Sequence, residues 1–161
     1  MVLGVWYNDK SFSFFLELLS QICDIIEEGI RKGNRMPRTE IILFKDDDGS
    51  VPLIEWLEEQ SEKVRIKCLA RIEELQERGY ELRRPTADFL ERGIYELRVK
   101  VGTVHYRIFY AFCGRNVVLL SHGCTKEKFV PQKEIDRAIE NLNKYRRNPI
   151  AHSANNRDIK I

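Results

Sequence analysis

The sequence predicts an α+β fold: a helical hairpin packed on a small antiparallel sheet, with a further helix towards either end. Three observations predict it. Apolar residues recur at helical spacing in two successive segments between residues 52 and 78. They then alternate over 94–123, where short turns divide the run into three strands. The helical period returns from Pro131. A chain of 161 residues with 43% hydrophobic content is long enough for one ordinary core.

Taken in order, Phe12, Phe15, Leu16, Leu19, Ile22, Cys23 and Ile26 line one face of an N-terminal helix, which Gly29 and Gly33 end. "GNRMPRTE" reads as a linker. Residues 1–35 are therefore expected to be a separate helical extension, a packing appendage or a partner-binding element, and dispensable to a domain of 36–147. "EIILF", 40–44, is a short strand, and "KDDDGS" is a polar turn. That turn lacks the spaced ligands and distal Glu of an EF-hand loop. Pro52 suits the first turn of the helix "PLIEWLEEQ". A second helix, 62–78, buries Val64, Cys68, Leu69, Ile72 and Leu75 and stops at Gly79. The strands are 94–101, 104–112 and 116–123. In the last helix Ile135, Ala138, Ile139, Leu142 and Tyr145 share a face. The polar tail, 148–161, is expected to be disordered.

A net charge of +2 excludes a uniformly basic nucleic-acid coat. The distribution is uneven: between Gly93 and Lys133 seven basic residues face two acidic ones, a local excess of +5. Such a concentration is the electrostatic footprint of a polyanion site. The four cysteines form no CxxC pair, which suits reduced thiols and a cytoplasmic protein. No apolar run approaches the ~18 residues that span a bilayer, and no basic leader with a cleavage site precedes the first apolar stretch. There is no Gly-rich phosphate loop, metal-ligand cluster or nucleophile elbow, so neither metal nor cofactor is expected.

The segment "IYELRVKVGTVHYRIFY" sets the candidate site. A two-residue turn at Gly102-Thr103, of type II′, pairs Val101 with Val104, Lys100 with His105, Val99 with Tyr106 and Arg98 with Arg107. Tyr95, Leu97, Val99, Tyr106, Ile108 and Tyr110 then share the helix-packed face, and the arginines the other. Like charges directly opposite destabilise a sheet unless an anion sits between them. Phosphate suits a pair of guanidinium forks. The competing reading is a solvated basic face with Glu96 neutralising Arg98. A second two-residue turn at Gly114-Arg115 would extend the row to Arg98, Arg107 and His122, with Lys100, His105 and Cys124 as the next.

"LFKDDDGSVPLIEWLEE", "ELRRPTADFLERGIYELRVKVGTVHYRIFYAF" and "VVLLSHGCTKEKFVPQKEIDRAIENL" together resemble the HigB-type, phage-derived branch of the RelE/ParE toxin superfamily, over residues 40–147. The resemblance implies a RelE-like fold with a twisted antiparallel sheet. It also implies a metal-independent endoribonuclease that cuts mRNA on the ribosome, silenced by a helix-turn-helix, HigA-like antitoxin. Arg98 matches the basic position of the "ELR" strand, Arg107 the arginine of "YRI" and His122 the histidine of "LHG". Lys126 and Lys128 match the lysines that follow, with Glu127 interrupting them. The implied chemistry is attack of a 2′-OH on the adjacent phosphorus. Arg107 and Arg98 would stabilise charge, His122 would move a proton, and Lys100, His105, Lys126 and Lys128 would hold RNA. Two alternatives share the sequence: a ParE-like toxin that poisons a topoisomerase without cleavage, and a non-catalytic regulatory or adaptor module.

Overall fold

The computed structural model describes residues 16–25, 38–126 and 129–154. Strands β1 (Glu40–Phe44), β2 (Ala87–Glu91), β3 (Ile94–Val101), β4 (Val104–Gly114), β5 (Val117–Lys126) and β6 (Ser153–Ala154) form one sheet in the order β2-β3-β4-β5-β1-β6. The helices are α1 (described over 16–25), α2 (Pro52–Glu58), α3 (Glu62–Arg78) and α4 (Gln132–Arg147). The fold is α+β, but the sheet is mixed rather than antiparallel. β1 runs parallel to β5, Ile41 beside Val118, because α2, α3 and three further strands intervene before the chain returns. Strand β2 carries Asp88 and Glu91 in five residues, and that polar content hid it from a search for alternation.

The sheet has a core on each face. On one, Leu97, Val99, Ile108, Tyr110, Val118 and Leu120 pack with Leu53, Leu57, Cys68 and Ile72 of the helical hairpin, and Tyr95 and Tyr106 lie against them. Burial pushes the Cys68 thiol up to about 12, so it stays a neutral thiol. On the other face Ile42, Phe44, Ile94, Phe109, Ala111 and Leu119 pack with Ala138 and Leu142 of α4. Both faces are therefore covered over the centre of the sheet.

Helix α1 is part of the first core. Leu18, Leu19 and Ile22 are buried in the same cluster as the hairpin residues. The rest of the predicted helix and its linker, in 1–15 and 26–37, lie outside the described residues. Burial of each such side chain contributes about 1.5–3 kcal/mol. A chain starting at Met36 is thus expected to lose cooperative unfolding, against the expectation that residues 1–35 are dispensable. Urea unfolding of the two chains side by side checks this.

Nor is the stretch after Asn148 unstructured. His152 stacks on Phe44 with centroids 5.7 Å apart, and Ser153 and Ala154 pair with Phe44 and Leu43. Residues 155–161 lie outside the described residues. The aspartate turn is a polar turn, held by the protein itself. Lys144 of α4 donates to Asp46 and Asp47, each at 2.8 Å, and the Ser50 N–H donates to Asp48 at 2.9 Å. The Lys144 hydrogen bond holds the Asp46 carboxyl below its ordinary range.

Gly123 of the "SHGCTK" segment has a packing cause. The indole of Trp56, on α2, lies against its backbone, and a Cβ there would overlap the ring. Trp56 also packs against Tyr106, at 6.4 Å. Gly123→Ala is expected to cost about 1–3 kcal/mol by overpacking, and Trp56→Ala in the same chain to recover part of that loss. Thermal unfolding of the three variants tests the pairing.

Candidate functional site

The first hairpin has the predicted register. Gly102 takes φ +62°, the left-handed value that the first position of a type II′ turn requires. Arg98 stands directly opposite Arg107, and Lys100 opposite His105. The next strand differs. The turn falls at Arg115-Asn116, since Gly114 pairs with Val117, and this moves the register by two residues. Two bulges, with Cys113 extra on β4 and Ser121 extra on β5, cancel each other. The expected row is therefore corrected: Arg107 faces Cys124, not His122. His122 pairs with Phe109, and position 126 lies opposite His105. Three rows result on the α4 face of the sheet: Asp88–Glu96–Phe109–His122, Arg98–Arg107–Cys124 and Lys100–His105–Lys126. Lys128 lies outside the described residues.

Glu96 explains the facing arginines. Its carboxylate is fully buried. One oxygen accepts from Arg98 Nε at 2.7 Å, and the other accepts from Arg107 Nη1. Asp88 accepts from Arg98 Nη2 at 2.8 Å and from Arg84 Nε at 2.8 Å. Arg84, Asp88, Arg98, Glu96 and Arg107 thus form one alternating ribbon of three cations and two anions. The residual charge is one positive unit rather than three. The Arg98 side chain remains 37% exposed, so part of its fork faces outwards, whereas that of Arg107 is 11% exposed. The signal for Glu96 was present in "ELR", where i and i+2 share a face. Asp88 was missed with its strand.

His122 belongs to a different network. It has no exposed surface and stacks on Phe109 at 4.8 Å. Asn141 Nδ2 donates to Ser121 Oγ at 2.9 Å, and Ser121 Oγ lies 2.9 Å from His122 Nδ1. His122 Nε2 lies 3.2 Å from Glu134 Oε2. A carboxylate only accepts, so Nε2 carries the proton and Nδ1 accepts from the serine. Burial, helped by the positive charge of Arg137, pushes the imidazole down to about 3. Both nitrogens are engaged beneath α4, one by Glu134 directly and the other through Ser121 to Asn141, and the ring stands one row away from the arginines. The network ties the helix to the sheet.

This has a sign in pH. The unfolded chain protonates His122 near the ordinary 6.5, and the folded chain only near 3. Its contribution is complete above the higher value and falls as pH drops through the window, by about 1.4 kcal/mol per pH unit. His122→Asn is expected to flatten that acid limb, measured as unfolding free energy between the two values.

A helix-covered mixed sheet that carries an arginine–carboxylate ribbon next to Lys100 and His105 defines a small α+β protein with a charged sheet end. The chain belongs to the family described as Phage derived protein Gp49-like (DUF891), whose profile matches residues 55–143. This is a phage-derived, toxin-like family, related to RelE-type endoribonuclease toxins. No curated protein matches the chain. Among the described residues no helix is long and apolar enough to cross a membrane.

Proposed function

We propose that this protein is the toxin of a type II toxin–antitoxin system, of the HigB type, and that it cleaves mRNA on the ribosome without a metal. The observation that carries the reading is the Arg98–Arg107 pair, directly opposed on a rigid hairpin and fixed by Glu96. Rigid strands place guanidinium groups more accurately than loops do. In this reading the exposed part of Arg98 meets the scissile phosphate, and Arg107 adds positive charge as the phosphorane develops. Lys100, His105 and Lys126 continue along the next row towards the RNA backbone, with Lys128 following in the chain. His122 positions α4 and the strand, and the proton acceptor comes from elsewhere, including the ribosome. Attack by the 2′-OH makes DNA a non-substrate. A helix-turn-helix, HigA-like antitoxin would cover the charged end.

One observation favours a second reading. Glu96 already occupies donors of both arginines, which suits a ParE-like toxin that binds a topoisomerase and cleaves nothing. Purified protein added to translating ribosomes, and in parallel to a supercoiling reaction, tests both. Cut mRNA supports the first reading. Inhibited supercoiling with intact mRNA supports the second and overturns the first.

A further inference from the structure

At the outer edge of the sheet, beside β2, lies an open cleft of about 450 Å³. Its apolar surface comes from Leu82, Ala87, Phe89 and Tyr95, and its polar rim from Arg83, Arg84 and Asp88. Phe89 is 53% exposed and meets Tyr95 edge-on at 5.2 Å. A large aromatic ring left half in water, backed by a second, partly buried ring and flanked by guanidinium groups, supplies the components of a base-stacking platform. The Arg84 side chain is 75% exposed, with its Nε and Nη2 both on one oxygen of Asp88. Asp88 is also the link to Arg98, so the rim of the cleft and the arginine pair belong to one continuous ion-pair ribbon.

We propose that this cleft is a subsite for one unpaired nucleotide of the RNA, its base stacked against Phe89 and Tyr95 and its phosphate held by Arg84. The assignment rests on the reading that the chain binds RNA. A strand that crosses the Arg98–Arg107 row on the α4 face would then pass round the β2 edge and lay one base down on the hairpin face. Stacking accepts every base, so the subsite sets the path of the strand rather than a strict sequence.

The test uses the full chain and two probes. The first is an eight-nucleotide single-stranded RNA with 2′-O-methyl groups throughout, which 2′-OH attack cannot cut. The second is adenosine 5′-monophosphate, compared with inorganic phosphate. In NMR titrations the nucleotide is expected to shift the amides of Leu82, Ala87 and Phe89, and inorganic phosphate to leave them in place. In fluorescence anisotropy Phe89→Ala is expected to weaken octamer binding about tenfold, and Phe89→Tyr to restore it. The half-exposed ring makes both variants foldable, which thermal unfolding verifies. If Phe89→Ala binds like wild type while Arg98→Ala does not, the cleft is no subsite and the RNA reading stands. If wild type binds no octamer, the RNA reading falls and takes the subsite with it. Amide shifts with inorganic phosphate alone would reduce the cleft to an anion site and overturn the stacking assignment, as would saturation by an extended peptide along the β2 edge with no response to nucleotide.

Discussion

Glu96→Ala is expected to lower the unfolding free energy by about 3–5 kcal/mol, the usual cost of removing one member of a buried ion pair. The loss has two sources. Arg107, with a side chain only 11% exposed, keeps its charge but loses the Glu96 carboxylate. Arg98 and Arg107, opposite in the ladder, then repel directly. Glu96→Gln keeps the shape and removes the charge, so it is expected to fall between wild type and the alanine variant. The two-arginine origin gives a further check. In an Arg107→Gln background, Glu96→Gln should cost less than it does alone, because one of the two cations that Glu96 serves is already absent. Urea midpoints at constant slope give all four corners of this cycle. Equal costs in the two backgrounds would show that Glu96 is not the anion that holds the pair.

The second expectation is a fall of about 10²–10³ in single-turnover mRNA cleavage on programmed ribosomes when Arg107 loses its guanidinium. Read from sequence, Arg107→Ala is a surface change of little consequence for stability. In the fold it leaves Glu96 buried with one partner fewer, so lost activity and lost folding would arrive together. Arg107→Lys separates them. The ammonium keeps a charge near Glu96 and so preserves most of the stability, but it cannot supply two parallel donors. A folded Arg107→Lys protein that cleaves like wild type would remove Arg107 from the chemistry. A folded one impaired to nearly the level of the alanine variant assigns the loss to the guanidinium itself rather than to folding.

The apolar face and the first hairpin were legible in the sequence because one turn fixes them. Gly102 selects the turn, and the turn sets every pair from Val101–Val104 to Ile94–Ala111 without interruption. The third strand was not legible. A tight turn at 115–116 instead of 114–115 is one residue of difference along the chain and two in register. From His122 onward the slip is two and each side chain keeps its face, while between the Cys113 and Ser121 bulges it is one, and Val117–Leu120 exchange faces; all four are apolar, so the hydrophobic pattern gives no warning. That is why His122 stands on the face expected of it and in the wrong row. The burial of His122 was equally hidden, since its partners Glu134 and Asn141 come from α4. Strand β6 escaped because two residues paired to a distant strand leave no periodicity to read.

The place of β1, between β5 and β6, has a kinetic consequence. Its neighbours are Val117–Leu120, with Glu40 and Val117 paired 77 positions apart, and Ser153–Ala154, with Leu43 and Ala154 paired 111 apart. The β2-β3-β4 half, by contrast, is joined by tight hairpins. Local pairs lose little chain entropy before they form, whereas distant ones must close a long loop first. During synthesis the arginine ribbon, contained within residues 84–107, can assemble as a hairpin before either flank of β1 exists. The rest of the sheet waits for the polypeptide to deliver β5 and then β6. Refolding from denaturant should accordingly run in milliseconds to seconds rather than microseconds, with the Trp56 environment, against β5, among the last to become native.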